Sequence, residues 1–298
     1  MYADLHRHLD GSLRPSTLSE FAAAAGLRVP EDLTFIAGMG LDEALARFAF
    51  TLSVLRDAAA VRRIASEMCE DAAADGVTTL EIRFAPQLHV DGSDAEIVDA
   101  ALEGIDGRAG LILCGLYGEP PAVLEGHVDL ARSRPGVVAI DLAGGPAPGH
   151  SWRIEDYRRP YHQARDLGLG RTVHAGEGRP PAEIRVAIEL LDAQRIGHGT
   201  TLLHDPEVLD LVLGRGVTIE ACPTSNVHTS VLRSVADHPL VHWLEAGVSV
   251  CVCTDNTLLS QVSSSEEHTR IGAIPGMTAE HLRQLIDNGH QAAFAARH

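Results

Sequence analysis

Short runs of β-branched and apolar residues alternate along this chain with longer segments whose apolar positions recur at helical spacing. Strand followed by helix, repeated, is the order that parallel βα units produce. Eight runs read as strands: Tyr2–His8, 78–84, 111–116, 137–141, 171–175, 194–197, 217–221 and 248–254. Between them, Ser93 and Glu96 form a capping-box pattern ahead of Ile97, Val98, Ala101, Leu102 and Ile105. Asp205-Pro206 opens a helix through Val208, Leu211 and Val212 that closes near Gly214 or Gly216, and Pro239 opens a short one ending at Gly247. Ile184, Ile188 and Leu191 mark a further amphipathic helix.

Eight is the number of βα units that closes a barrel. The expected fold is therefore an α/β (β/α)8 TIM barrel, one domain over residues 1–298, with no repeat or linker to divide it. Residues 12–76 form a longer insertion after the first strand, helical in pattern over 15–25 and again from Leu41, and are expected to roof the barrel mouth.

Composition narrows the partners. Apolar residues make up 45% and aromatics only 4%, so Ala, Val, Leu and Ile must fill the core. A formal net charge of −17 repels phosphate backbones and anionic membranes, which argues against nucleic acid but not against a small, weakly charged nucleoside or nucleobase. No run approaches the ~20 apolar residues of a membrane span. The first residues carry no apolar leader, and five cysteines in so long a chain suit buried, reduced thiols, so a cytoplasmic location is expected. Nothing in the sequence sets the oligomeric state.

Position is the informative property of the polar residues. His6 and His8 end the first strand, His174 the fifth, His198 follows the sixth and Asp255 the eighth, and in a barrel those ends converge on one mouth. His6 and His8, at i and i+2, share a strand face and can chelate one ion, although the pair alone also fits a half-exposed strand. In the last strand Val248, Val250 and Val252 alternate with Ser249, Cys251, Cys253 and Asp255; the small residues suit the interior, with the cysteines as core rather than ligands. Three histidines and an aspartate make an N/O donor set suited to Zn2+, one per chain. Glu177, in His174-Ala-Gly-Glu177, and His198, between Gly197 and Gly199, remain as two titratable groups beside it, which is what hydrolytic displacement requires.

These residues resemble the adenosine deaminases of the zinc amidohydrolase superfamily. The resemblance runs through His6-Arg-His-Leu-Asp-Gly11, Glu81-Ile-Arg83 with Pro86, Ile140-Asp-Leu-Ala-Gly144, Thr172-Val-His-Ala-Gly-Glu177, Arg195-Ile-Gly-His-Gly199, Cys222-Pro-Thr-Ser-Asn226 and Thr254-Asp255, in the family's order. It implies that His6, His8, His174 and Asp255 hold zinc, and that Glu177, His198 and Asp255 are catalytic. Glu177 would share its proton with purine N1, and His198 would orient the attacking water and take its proton or stabilise the hydroxide. It places His8, Asp10, Gly144 and Asn256 against the substrate, with the Gly144 N–H on purine N3 and Asp10 on the ribose 5′-hydroxyl. Members acting on adenosine carry Asp at position 10, whereas relatives acting on free adenine commonly carry Glu, so adenosine and deoxyadenosine are the expected substrates.

Three departures stand out. Asn256 replaces an aspartate that donates to purine N7, and an amide donates there at any pH. Gly145 stands where an acidic residue is usual. The chain also ends at His298 after what reads as one helix, which would give a shorter roof with space for a bulkier ribose substituent. The alternatives are a deaminase of a modified adenosine, such as 6-aminodeoxyfutalosine or an N6-substituted adenosine, then free adenine, then a generic amidohydrolase or a catalytically silent nucleoside binder. His89, expected near the pocket, His150 and His228 carry no assigned role, and Glu81 with Arg83 reads as a structural ion pair.

Overall fold

The computed structural model describes residues 1–144 and 151–294; Gly145, His150 and His298, remarked on above, lie outside the described residues. Eight strands form one parallel sheet in sequential order: β1 (Tyr2–His8), β2 (Val77–Phe84), β3 (Gly110–Leu116), β4 (Val137–Ala143), β5 (Gly170–Ala175), β6 (Arg195–His198), β7 (Thr218–Ala221) and β8 (Ser249–Val252). β8 returns to β1 through a parallel bridge between Arg7 and Asp255. There the His8 N–H donates to the Asp255 carbonyl at 2.7 Å and the Asp255 N–H to His6 at 2.8 Å. This is the expected (β/α)8 barrel. β4 runs two residues past its expected end because Leu142 and Ala143 still pair with Gly115 and Leu116. β8 stops short of 254 because the chain turns sharply at Asp255, which has φ 61°.

The insertion holds three helices, α1 (Pro15–Ala24), α2 (Leu41–Val54) and α3 (Ala58–Ala74). α3 packs against β2 and against α4 (Asp94–Ile105), which the Ser93/Glu96 capping box starts as expected, so α3 belongs to the barrel's outer ring. α2 is the roof: Leu41, Ala44, Leu45, Phe48 and Leu52 recur at helical spacing and face the cavity at the mouth. The ring continues through α5 (Pro121–Ala131), α6 (Arg158–Asp166), α7 (Ala182–Glu189), α8 (Pro206–Arg215), α9 (Pro223–His228), α10 (Leu240–Glu245), α11 (Ser264–Gly272) and α12 (Ala279–Ala292). The Asp205 carboxylate accepts from the N–H groups of Glu207 and Val208 at the start of α8, and Gly216 stops it in the left-handed region.

The C-terminal expectation is corrected. Two helices follow β8, and α12 lies along the outside of β8 and β1. The chain then passes under the barrel, where the Phe294 ring sits 3.8 Å from the Arg195 guanidinium and its N–H donates to Glu81 at 2.6 Å. Arg195 opens β6, so this segment closes the floor and not the mouth. Glu81 and Arg83 are also not paired with each other. Glu81 binds Arg195, while Arg83 binds Asp141 at 2.9 Å and Glu220 at 2.8 Å. Cys222, Cys251 and Cys253 pack with Leu5 in the interior as free thiols, and Val250 and Val252 join the outer core, as the alternation in β8 predicts.

Candidate metal centre and active site

Each predicted donor stands at or just past the C-terminal end of a strand, and the barrel gathers His6, His8 and His174, with Asp255 beside His6 and His8. The His8 and His174 Nε2 atoms lie 3.3 Å apart, and the Asp255 carboxylate lies 3.7 Å from His6 Nε2 and 3.5 Å from His8 Nε2. A tetrahedral ion bound at about 2.0 Å spaces its nitrogen donors by roughly 3.3 Å, so the spacing fits one metal. His6 Nε2 is fully buried with no hydrogen-bond partner, an orphaned lone pair aimed at the other donors. The opposite ring nitrogens face carboxylates: His6 Nδ1 stands 2.7 Å from Glu220 and His174 Nδ1 3.0 Å from Asp141. Such contacts fix each ring with its proton on Nδ1 and its lone pair on Nε2. Burial, then the nearby Arg83 charge, pushes the His6 pKa well below its usual value; burial and then His174 do the same for His8. Burial raises the Asp141 carboxyl, yet His174 and Arg83 hold it well below the ordinary range.

Two features of the backbone make this packing possible. A Cβ on Gly197 would sit 3.0 Å from the His6 ring, tighter than side chains normally pack, so glycine eases the passage of His6 across β6. Asp255 and His198 both take left-handed φ, 61° and 67°, which is costly for residues with side chains and common where a fold aims a functional group.

Beside the donors, a cavity of about 310 Å3 is lined by His8, Asp10, Gly144, Glu177, His198, Asp255 and Asn256, with the α2 face and Phe35 opposite. That volume is at the small end of the ~300–1,000 Å3 typical of ligand pockets. Burial raises the pKa of Glu177, whose carboxyl accepts from Thr229 at 3.0 Å and stands 3.7 Å from His198 Nε2. Burial keeps His198 neutral, lowering its pKa to about 3, and pushes Asp10 up to about 7. Asp10 Oδ1 and Asn256 Oδ1 are both buried without a partner. A Cβ on Gly11 would lie 1.9 Å from Asn256 Oδ1, so that glycine makes room for the amide.

The family model for adenosine deaminase matches residues 2–298. The chain belongs to the adenosine deaminase family. It is 34% identical to an adenosine deaminase of Vibrio atlanticus over 98% of this chain and 93% of that one. Among solved structures, an adenine deaminase from Arthrobacter aurescens superimposes with a TM-score of 0.87 at 25% identity, covering 99% of this chain and 94% of that one. An Arabidopsis N6-mAMP deaminase gives 0.87 at 26%, covering 99% and 93%. A Zn-bound amidohydrolase from Burkholderia ambifaria gives 0.86 at 25%, covering 99% and 85%. The chain is thus a hydrolytic deaminase by family and fold.

The site also contains groups that the sequence reading left without roles. Glu220 and Asp141 orient the histidines from below, Thr229 supports Glu177, and Asn226 Nδ2 lies 3.0 Å from His198 Nδ1. Asp141 and Asn226 sit inside motifs that carry the resemblance, which is the only signal that marked them, whereas Glu220 and Thr229 lie outside those motifs. Cys222 lies with its thiol near His6, His198 and Asp255, but a carbonyl 3.8 Å away is its recorded partner and the histidine set is the better cradle. His89 is bound to the Leu55 carbonyl and His228 to Ser260, and neither lines the cavity.

Proposed function

We propose that this chain, acting as a single domain over 1–298, is a zinc-dependent deaminase that converts adenosine and deoxyadenosine to the 6-oxo nucleosides and ammonia. The observation that carries this reading is one cavity in which a histidine and aspartate donor set faces a buried carboxyl of raised pKa and two unpartnered polar side chains. His6, His8, His174 and Asp255 would hold the ion. Zinc bound there would supply Lewis acidity that makes a water acidic enough to attack at neutral pH.

The protein's own groups account for the rest. Glu177, whose carboxyl pKa is raised by burial, donates to purine N1 and draws electron density from C6. His198 and Asp255 orient the attacking water. The Gly144 N–H faces N3, Asn256 donates to N7, and Asp10 with His8 contacts the ribose. Each assignment is supported by that residue's position on the cavity wall and by the family resemblance.

Charge separates nucleoside from nucleotide. No arginine or lysine lines the cavity among the described residues, so a 5′-phosphate would be buried without a counter-charge. The apolar α2 face favours a second reading, an adenosine carrying an apolar substituent, and the N6-mAMP deaminase among its structural relatives agrees with that direction. The test is ammonia release from zinc-loaded protein with adenosine, deoxyadenosine, AMP, adenine and 6-aminodeoxyfutalosine. Fast release from the first two with little from AMP or adenine is expected. Preference for AMP or adenine would refute the nucleoside assignment, and preference for the futalosine compound would select the second reading.

A further inference from the structure

His198 has been given two incompatible jobs: accepting the water's proton, or donating a hydrogen bond to the water's oxygen. A neutral imidazole does one or the other at a given nitrogen, and its second nitrogen decides which. Here that second nitrogen, Nδ1, faces the Asn226 side chain at 3.0 Å. Asn226 is fully buried at the start of the helix after β7.

The amide orientation is set by a second contact. Asn226 also favours the charged form of the Glu177 carboxyl, as a nearby amide donor does, and its NH2 group faces His198 Nδ1. An NH2 group facing His198 can only donate, so Nδ1 must accept. With Nδ1 accepting, the His198 proton resides on Nε2, the atom that faces Glu177 and the cavity at 3.7 Å.

We propose that Asn226 is a positioning residue that locks His198 with its proton on Nε2, making His198 a hydrogen-bond donor to the attacking oxygen and leaving Glu177 to move the protons. The inference rests on the deaminase reading for its chemistry but not for its geometry. The protons balance. Glu177 gives its own to N1, takes the first proton of the water as the oxygen–C6 bond forms, and passes it to the 6-amino nitrogen. The C6–N bond then breaks, the remaining hydroxyl proton is lost to Glu177, and ammonia leaves with the product protonated at N1.

The test uses zinc-loaded protein labelled with 15N-histidine. In the unsubstituted enzyme the His198 Nδ1 resonance should be that of an unprotonated ring nitrogen, a result that does not depend on which purine is turned over. Asn226→Asp is isosteric and offers only acceptors, so it should move the proton to Nδ1. Asn226→Leu removes the contact without choosing a tautomer. The aspartate variant should lose about tenfold more kcat than the leucine variant, with KM and bound zinc little changed, in keeping with the ~10²–10⁴-fold range of positioned proton-transfer groups. A protonated Nδ1 in the unsubstituted enzyme, or equal losses in the two variants, would overturn the proposal. Absence of deamination by the unsubstituted enzyme would refute the functional reading alone, because the resonance still reports the tautomer.

Discussion

Glu220→Gln preserves the shape of a side chain that meets three hydrogen-bond partners and an ion-paired arginine inside the barrel. One carboxylate oxygen faces His6 Nδ1 at 2.7 Å and Arg83 at 2.8 Å, and the other faces Thr172 at 2.9 Å and the Arg195 guanidinium at 2.7 Å. A glutamine has one acceptor and one NH2, so either orientation turns a donor toward two donors. With the NH2 toward His6, Nδ1 must accept, which moves the ring proton to Nε2, the atom meant for the metal. Loss of such a supporting contact typically costs 10–100-fold in metal affinity, about 1.4–2.7 kcal/mol. The metal-free fold should weaken too, though by less than the ~3–5 kcal/mol of an orphaned buried ion. Arg83 keeps Asp141 and Arg195 keeps Glu81, so about 2 kcal/mol is expected. Chelator competition gives the zinc Kd, and denaturant unfolding of metal-free protein gives the stability change. A Kd within twofold of the unsubstituted protein, alongside a weakened fold, would refute the idea that Glu220 orients His6.

Three further outcomes are expected. Glu177→Gln should keep its zinc, measured by metal analysis, while kcat falls by at least ~10²-fold; near-normal turnover would mean that N1 receives its proton elsewhere. Asp10→Ala should lower kcat/KM for adenosine far more than for adenine, because the role proposed for Asp10 is at the ribose; equal losses on both would remove it from ribose recognition. Glu267 is buried under the helix after β7, and burial lifts its pKa to about 7 despite its hydrogen bonds to Thr224. A raised carboxyl pKa means the folded state holds the proton that the unfolded chain releases, so stability falls as pH rises from about 4.5 to 7. Glu267→Gln should remove that slope and gain on the order of 3 kcal/mol relative to the parent by pH 8. Parallel stability curves from pH 4.5 to 8 would show that Glu267 ionises in the folded protein as readily as in solvent.

The residues legible in the sequence share one property: their placement depends on a single strand. A two-residue period puts His6 and His8 on one face, a strand end puts His174 at the mouth, and alternation sends Cys251 and Cys253 inward. Eight such strands, each pairing with the next, then suffice to bring the ends together. The roof was legible for the same reason, since Leu41, Leu45, Phe48 and Leu52 form a stripe on one helix. What the sequence hid depends on register between strands. Glu81 and Arg83 look like natural partners at i and i+2. Yet Arg83 reaches across the barrel to Asp141 on β4 and Glu220 on β7, and Glu81 reaches Arg195 on β6.

That cross-barrel register links the metal cradle to the floor. Two of the three candidate donor histidines, His6 and His174, are held from below by a carboxylate, Glu220 and Asp141 respectively, and Arg83 lies between the two carboxylates and binds both. Glu220 continues to Arg195, which stacks on Phe294, so the last described residue of the chain is three contacts from His6. Charged groups buried this deeply contribute little net stability compared with apolar packing of the same volume. Their placement is better explained by direction: each carboxylate accepts from one ring nitrogen and so points the other at the metal. A barrel filled with leucine here would fold, but its histidines would have no fixed tautomer. The polar interior is therefore part of the active site, although none of Arg83, Arg195 and Glu220 lines the cavity.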